Sequence, residues 1–306
     1  MTTHSNRATD PLMYHGRHFG HTIRAFCRIH TLLWHGINTT IQLELGQLEE
    51  ADLSEVNADE TAHVDNRSES KEYKIYCQLL GLSAKLEEQL MNGSETDIFT
   101  IANLLTKGAS NSRSDDTRAL KVIIVAWITP PNANLVPPLK GNVKTDRGFY
   151  HDMTGKLLCP ATMNWEDTTV RNGLRSGQII PNGDQWPLFL YQNHQYNHDK
   201  PWNGLMRGHL LIEAFKHTFT SPSSVENPQQ ATQLSNSSIH GMKASSSSIF
   251  NSLLPPKVRF ALSSSLTFTR TDTITDSERL YNTLLEFLED PEEHVEVKAL
   301  VSWWNM

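Results

Sequence analysis

The stretch SDDTRALKVIIVAWITPP, residues 114–131, decides the fold class. Its middle, Val122-Ile123-Ile124-Val125, is β-branched, which favours a strand. Its edges favour a helix. Ser114 is an N-cap residue type, Asp115 and Asp116 fall in a first turn where the helix dipole favours carboxylates, and Pro130-Pro131 is a stop. We read the stretch as a helix, and with it the chain becomes mainly α.

Upstream, Ser94 and Asp97 form a shortened capping box that opens a helix through Ile98, Ile101, Leu104 and Leu105, with Gly108 as its stop. Before it, 70–91 carries Tyr73, Tyr76, Cys77, Leu80, Leu86 and Leu90 at helical spacing and ends at Asn92-Gly93. At the start, 14–34 bears the stripe Phe19, Ile23, Phe26, Cys27, His30, Leu33 and Trp34, with Gly36 as a stop; a second helix follows from about residue 39. Between them, 44–69 holds nine acids against the single base Arg67, the composition of an exposed linker.

Downstream, prolines 130, 131, 137, 138, 160, 181, 187 and 201 break up the segment 130–202, leaving room for one short helix near 165–174. Helical patterns return at 203–218 and after Pro255-Pro256. The clearest pair closes the chain: Thr275 or Asp276 caps a helix carrying Leu280, Leu284, Leu285 and Leu288, and Pro291 starts another at a position where its missing N–H costs nothing. The expected architecture is therefore a single helical domain over 14–306, of about eight to ten helices. It follows a disordered tail at 1–13. It includes a flexible acidic linker at about 50–70, a long irregular Pro/Gly-rich insert at 130–202 and a Ser-rich mobile loop at about 222–255.

Bulk properties narrow the function. The formal charge of −7 leaves no broad basic face for phosphates, so coating of nucleic acid is disfavoured and only a local patch is open to it. Cys27, Cys77 and Cys159 are odd in number, widely spaced and without a C-x-x-C pair, so neither a disulfide framework nor a zinc site is indicated. The first residues lack a secretory apolar run and no segment has the length of a membrane helix, so the expectation is a soluble intracellular protein of nucleus or cytoplasm, with no membrane partner. The phosphate-binding, dinucleotide, nucleophile-elbow, zincin and EF-hand signatures are all missing, and no cofactor or metal is expected. The leading expectation is a non-enzymatic interaction protein whose partner is another protein.

Chemistry concentrates in four places. His63-Val-Asp65 has the spacing of an iron-ligand pair but sits in the acidic linker, without a rigid frame. His15, His18, His21, His30 and His35 crowd the N-terminal helix with Arg17, Arg24 and Arg28. Surface histidines are the simpler reading there, and a phosphate-binding basic helix is the sharper one. Arg259, Ser263, Ser264, Ser265 and Arg270 combine hydroxyls and arginines of the kind that hold anions. The main candidate binding surface is Lys144, Asp146, Arg147, His151, Asp184, Trp186 and Tyr191, with His194, His198 and Asp199 beyond. It gathers acids, bases and aromatics in loops, where interface anchors and general acid–base groups are found. The bland alternative is a charged framework that stitches irregular backbone together. The enzyme reading requires His151, Asp184 and His194 to converge.

Taken in order, RHFG (17–20), LMNGS (90–94), WITPP (127–131), the NVKTDRGF stretch (142–149), TGKLLCPA (154–161), DQWPLFLY (184–191), IHGM (239–242), RFALSSS (259–265) and LEDPEE (288–293) resemble a large family of uncharacterised proteins from mushroom-forming fungi, defined by a domain of unknown function. The likeness spans 17–304. It implies a lineage and a link to mobile elements, and brings no activity, ligand or catalytic residue. The Ser-rich 227–256 departs from the family pattern, and His21 stands where that pattern has arginine.

Overall fold

The computed structural model of the chain describes residues 10–48, 64–219, 254–271 and 276–305. Among these residues there are eleven α-helices and no β-strand, only an isolated antiparallel bridge between Pro160 and Pro187. The chain is thus mainly α, as residues 114–131 predict. It forms two compact units, Met1–Ser112 and Arg113–Met306.

The first unit holds α1 (Pro11–Thr22), α2 (Ile29–Glu44), α3 (Val64–Leu80), α4 (Leu86–Asn92) and the N-terminal half of α5 (Glu95–Ile128). Asp10 starts α1 by accepting a hydrogen bond from Leu12 N at 2.9 Å, with Pro11 in the first turn. The helix therefore begins inside the stretch read as a tail. Its stripe does not continue to Trp34. The backbone breaks after Thr22, where both Ile23 N and Arg24 N bond to Phe19 O, and Ala25 and Phe26 are buried in the connection. Helix α3 begins at Val64, within the stretch read as linker; residues 50–63 of that stretch, His63 of the His63-Val-Asp65 pair among them, lie outside the description. The expected helix over 70–91 is interrupted at Gly81, whose N–H bonds Cys77 O in a turn.

Two glycines expected to end helices instead lie inside them. Gly36 sits in α2 because the Tyr76 ring covers it; a Cβ there would fall 2.2 Å from the ring. Gly108 sits in α5 because Met13 O approaches it, at 2.1 Å from where a Cβ would lie. Gly16 meets Leu105 O in the same way, so α1 crosses α5 at backbone contact. The core around this crossing contains Phe19, Leu33, Tyr76, Leu79, Leu90 and Leu105. The Ser94–Asp97 box is formed: Ser94 N donates to Asp97 Oδ2 at 3.0 Å and Asp97 N to Ser94 Oγ at 3.3 Å. The Ser94 hydroxyl, which donates to Asp97 Oδ2 at 2.7 Å, and then the Ser94 N–H hold the Asp97 carboxyl below its usual pKa.

The second unit takes the rest of α5, then α6 (Asp152–Leu158), α7 (Thr168–Ser176), α8 (His209–Phe219), α9 (Leu254–Leu262), α10 (Ser277–Glu289) and α11 (His294–Trp304). In α5 the β-branched run buries Ile124 with Leu120 and Ile128 and exposes Val122, the one-sided pattern of a helix. Ser114 is not a cap: the helix passes straight through it, and Asp116 turns inward to Lys257. The segment 130–202 contains α6, α7 and three short 3-10 turns, and its run Phe189-Leu190-Tyr191 is buried. Helix α8 begins only at His209, because Gly204 and Met206 adopt positive φ. Helix α10 buries Leu280, Leu284 and Leu285 as its spacing predicts. After it, Pro291–Glu293 is a 3-10 turn with Asp290 Oδ1 accepting from Glu292 N, and the α-helix follows at His294. The Ser-rich 222–253 lies outside the description. No helix among the described residues is long and apolar enough to cross a membrane.

The α1–α5 crossing gives a direct test. Gly→Ala inside a helix normally gains about 1 kcal/mol in propensity. At Gly16 the added Cβ meets backbone, so Gly16→Ala is expected to destabilise by roughly 1–3 kcal/mol. Gly81→Ala, whose Cβ would find its nearest neighbour at 3.4 Å, should stay within about 0.5 kcal/mol. Chemical denaturation of the two variants checks the contrast.

Candidate functional site

Of the seven residues singled out by sequence, six divide into an interior group and a surface group, and the seventh, Asp146, is half-buried beside Arg147. Lys144, Arg147, His151 and Tyr191 are buried, so they cannot themselves form an exposed binding surface. Arg147 is 0% exposed. Its Nη1 donates to Lys121 O at 2.9 Å and Ala261 O at 2.8 Å, and its Nη2 to Lys140 O at 2.9 Å and Gly141 O at 3.0 Å. Burial lowers the guanidinium pKa while the charge of Asp146 opposes the shift. Lys144 Nζ donates to Phe260 O at 2.5 Å and lies 3.2 Å from the Phe260 ring centroid. Two cations thus meet the last carbonyls of α9, where the helix dipole is negative.

His151 Nδ1 accepts from Met153 N at 3.1 Å, capping α6, and Nε2 lies 2.8 Å from Pro137 O. Both ring nitrogens are thus engaged with backbone groups. The loop turns at Gly148, with φ +69°, where Ser264 N packs against the backbone. The anion-type set around α9 is similarly committed: Ser263 Oγ donates to Phe260 O at 2.9 Å, and Arg270 pairs with Glu278. Lys257, 1% exposed, bonds Asp116 Oδ2 at 2.5 Å.

The surface group sits where the 181–186 loop meets α10. Asp184 Oδ1 accepts from Arg279 Nε at 2.7 Å. Gly183 N donates to Asp276 Oδ2 at 2.9 Å, so Asp276 at the start of α10 fastens the loop and makes no capping bond to its own helix. Gly183 is required here, because a Cβ would fall 2.5 Å from Leu280 N. Trp186 Nε1 donates to Thr283 Oγ1 at 3.2 Å. Its half-buried ring stands 5.7 Å from Phe287 and 6.3 Å from Trp202, which itself stacks on Phe287 at 4.8 Å. Alongside lies an open cleft of about 420 Å³, lined by the carboxylates of Asp184, Asp276, Glu278 and Glu286 against one arginine, Arg279. The sequence reading named Asp184 and Trp186 but missed Asn282, Thr283 and Glu286. Their signal was present: with Arg279, they form the polar side of the amphipathic α10.

His151, Asp184 and His194 do not share a partner. His151 holds Pro137 O, Asp184 holds Arg279, and His194 is within electrostatic reach of His209 and Lys156. Among the described residues no group of three or more His, Cys, Asp or Glu side chains is placed to hold a metal ion. In the first unit, burial lowers the pKa of His15 and His18, the latter further through His15. The three cysteines are free thiols. Burial pushes Cys159 up to about 11 and raises Cys77, the opposite of an activated nucleophile.

The model of a family described as a family of unknown function, DUF6698, matches residues 107–306, which include the whole second unit. No curated protein and no solved structure matches the chain.

The two groups should respond differently to truncation. Arg147→Ala takes the guanidinium donor from four carbonyls, one of them buried, and leaves a cavity where a fully buried side chain stood; it is expected to cost about 3–5 kcal/mol. Arg147→Lys should recover little, because a point ammonium lacks the planar fork. Asp184→Ala removes an exposed ion pair and should leave the melting temperature nearly unchanged. Calorimetry of the three variants checks this.

Proposed function

We propose, for a chain that belongs to the DUF6698 family of unknown function, a non-enzymatic interaction role in which another protein docks through a basic segment at the cleft between Asp184 and α10. The supporting observation is the cleft's composition: of its four carboxylates, Asp184 pairs with Arg279 and Glu278 with Arg270, which leaves an acidic excess at Asp276 and Glu286, with the half-buried Trp186 nearby. Charge of one sign in a cleft steers a partner of the opposite sign, and a neighbouring aromatic supplies an anchor. The enzyme alternative is weakened by the separate commitments of His151, Asp184 and His194. The nucleic-acid alternative loses Lys144 and Arg147 to the interior and keeps Arg17, Arg24 and Arg28 in a chain of net charge −7. Fungal lineage, a link to mobile elements and an intracellular location belong to the same proposal, on the ordered strings quoted above and the absence of disulfides among the described cysteines.

Glu286 is exposed on α10 and its substitution disturbs no core contact. The Glu286→Lys variant should melt like the wild type and lose at least about tenfold in affinity for a partner isolated on the wild-type protein, the loss of one well-placed charge contact. That partner's binding should also weaken as salt rises. A partner that binds both proteins equally, with no dependence on salt, would overturn the assignment of the cleft.

The reading of 14–306 as one folding domain is kept as part of this proposal. Its support is α5, which supplies Leu105 to one core and Leu120 to the other. Calorimetry of the full chain should then give a single transition whose calorimetric and van't Hoff enthalpies agree; two resolved transitions would refute it.

A further inference from the structure

The loop 191–208 is closed at its base by Gly208 N donating to Leu190 O at 3.1 Å and Gln192 N donating to Gly204 O at 2.8 Å. Its backbone is left-handed at Asn193 (φ 54°), His194 (φ 53°), Gly204 (φ 74°) and Met206 (φ 56°). Glycine adopts that region freely; the other three do so at a cost, so the closed loop is strained. His194 Nε2 is buried and has no hydrogen-bond partner. Two basic side chains lie within electrostatic reach of it, and each has a carboxylate partner of its own. Lys156 of α6 pairs with Glu166 at 3.2 Å. His209 of α8 lies 4.0 Å from Glu213, which Lys216 also holds at 3.1 Å. Within the loop, the Tyr191 phenol is buried against Tyr196, and Tyr196 against His198. At its far side the loop delivers Trp202 to the Trp186–Phe287 cluster beside the cleft.

We infer that this loop is a proton-operated latch: protonation of His194 releases it and withdraws Trp202 from the aromatic cluster. An imidazolium there would bury its Nε2 proton without an acceptor, would feel the charge of Lys156, and would leave a strained backbone with less to hold it. Burial, then His209 and Lys156, hold the His194 pKa below its ordinary value of 6.5, in keeping with this geometry. A group whose pKa is depressed in the closed state binds its proton better in the open one. Closure is therefore favoured above pH 6.5 and weakens as the pH falls toward the closed-state value. The release concerns the loop alone; its effect on partner binding rests on the role proposed for the cleft.

The test is amide hydrogen exchange of the full chain at pH 7.5 and 5.5, corrected for intrinsic rates. In the wild type, protection of amides between 192 and 207 should fall by up to about tenfold at the lower pH, the limit for one proton taken up over one unit below 6.5. Amides of α8 should keep theirs. The His194→Asn variant, with a residue that tolerates left-handed backbone and does not titrate, should show the same loop protection at both values. Should that variant fail to fold, the wild-type imidazole resonances replace it: His194 should titrate below 6.5 with the same midpoint as the loop amides. Unchanged wild-type loop protection, an equal loss in His194→Asn, a loss shared by α8, or separate midpoints would each overturn the latch. None of these readings uses the cleft, so a failure of the binding proposal leaves them intact.

Discussion

The second unit depends on a single buried cation. The Arg147 guanidinium has no water to solvate it, and a bare charge in such a place would cost several kcal/mol. Four backbone carbonyls take the place of water, drawn from α5 at Lys121, from the turn at Lys140 and Gly141, and from the end of α9 at Ala261. Three chain segments are therefore held at distances fixed by one planar fork. Helix α9 shows why this matters. At nine residues it is too short to persist alone. It opens on Pro255-Pro256, which have no N–H to leave unsatisfied, and it closes on Arg147 and Lys144, which satisfy its last carbonyls.

Where a signal is local, it was legible. The leucine spacing of α10, the reciprocal Ser94–Asp97 bonds and the stop before Pro130 could all be read from a few adjacent residues. Glycine was the recurrent misreading. Gly36 and Gly108 read locally as helix ends, yet each sits inside a helix because another backbone or ring comes within contact distance. Tyr76 and Met13 lie far along the chain from the glycines they select, so neither meaning can be recovered from the neighbourhood. Ser114-Asp115-Asp116 failed for a similar reason: the carboxylate that resembled a first-turn acid is committed to Lys257, 141 residues away.

The candidate site was legible as a concentration of chemistry but not as a geometry. Sequence marked 144–191 as polar, aromatic and irregular. It could not say that Arg147 faces a carbonyl 114 residues later, or that Asp184 faces an arginine 95 residues later. Those long-range pairings decide which charges become framework and which remain at the surface. The polar side of α10 was hidden by the strength of its apolar side, since leucine periodicity draws attention to what is buried and leaves Asn282, Thr283 and Glu286 unremarked.

The two rungs at the base of 191–208 also bear on how this protein can diverge. Both are made by backbone groups, so exchanging a side chain between them removes neither a donor nor an acceptor. The entropy lost in closing such a loop rises only by about 0.6 kcal/mol for each doubling of its length. Gly204 and Gly208 are the exceptions: at the first a side chain would crowd Gln192, and at the second it would meet Phe189 O. The exposed span from Asn197 to Lys200 is thus where insertions and drift are tolerated most cheaply, while the frame that presents Trp202 keeps its shape.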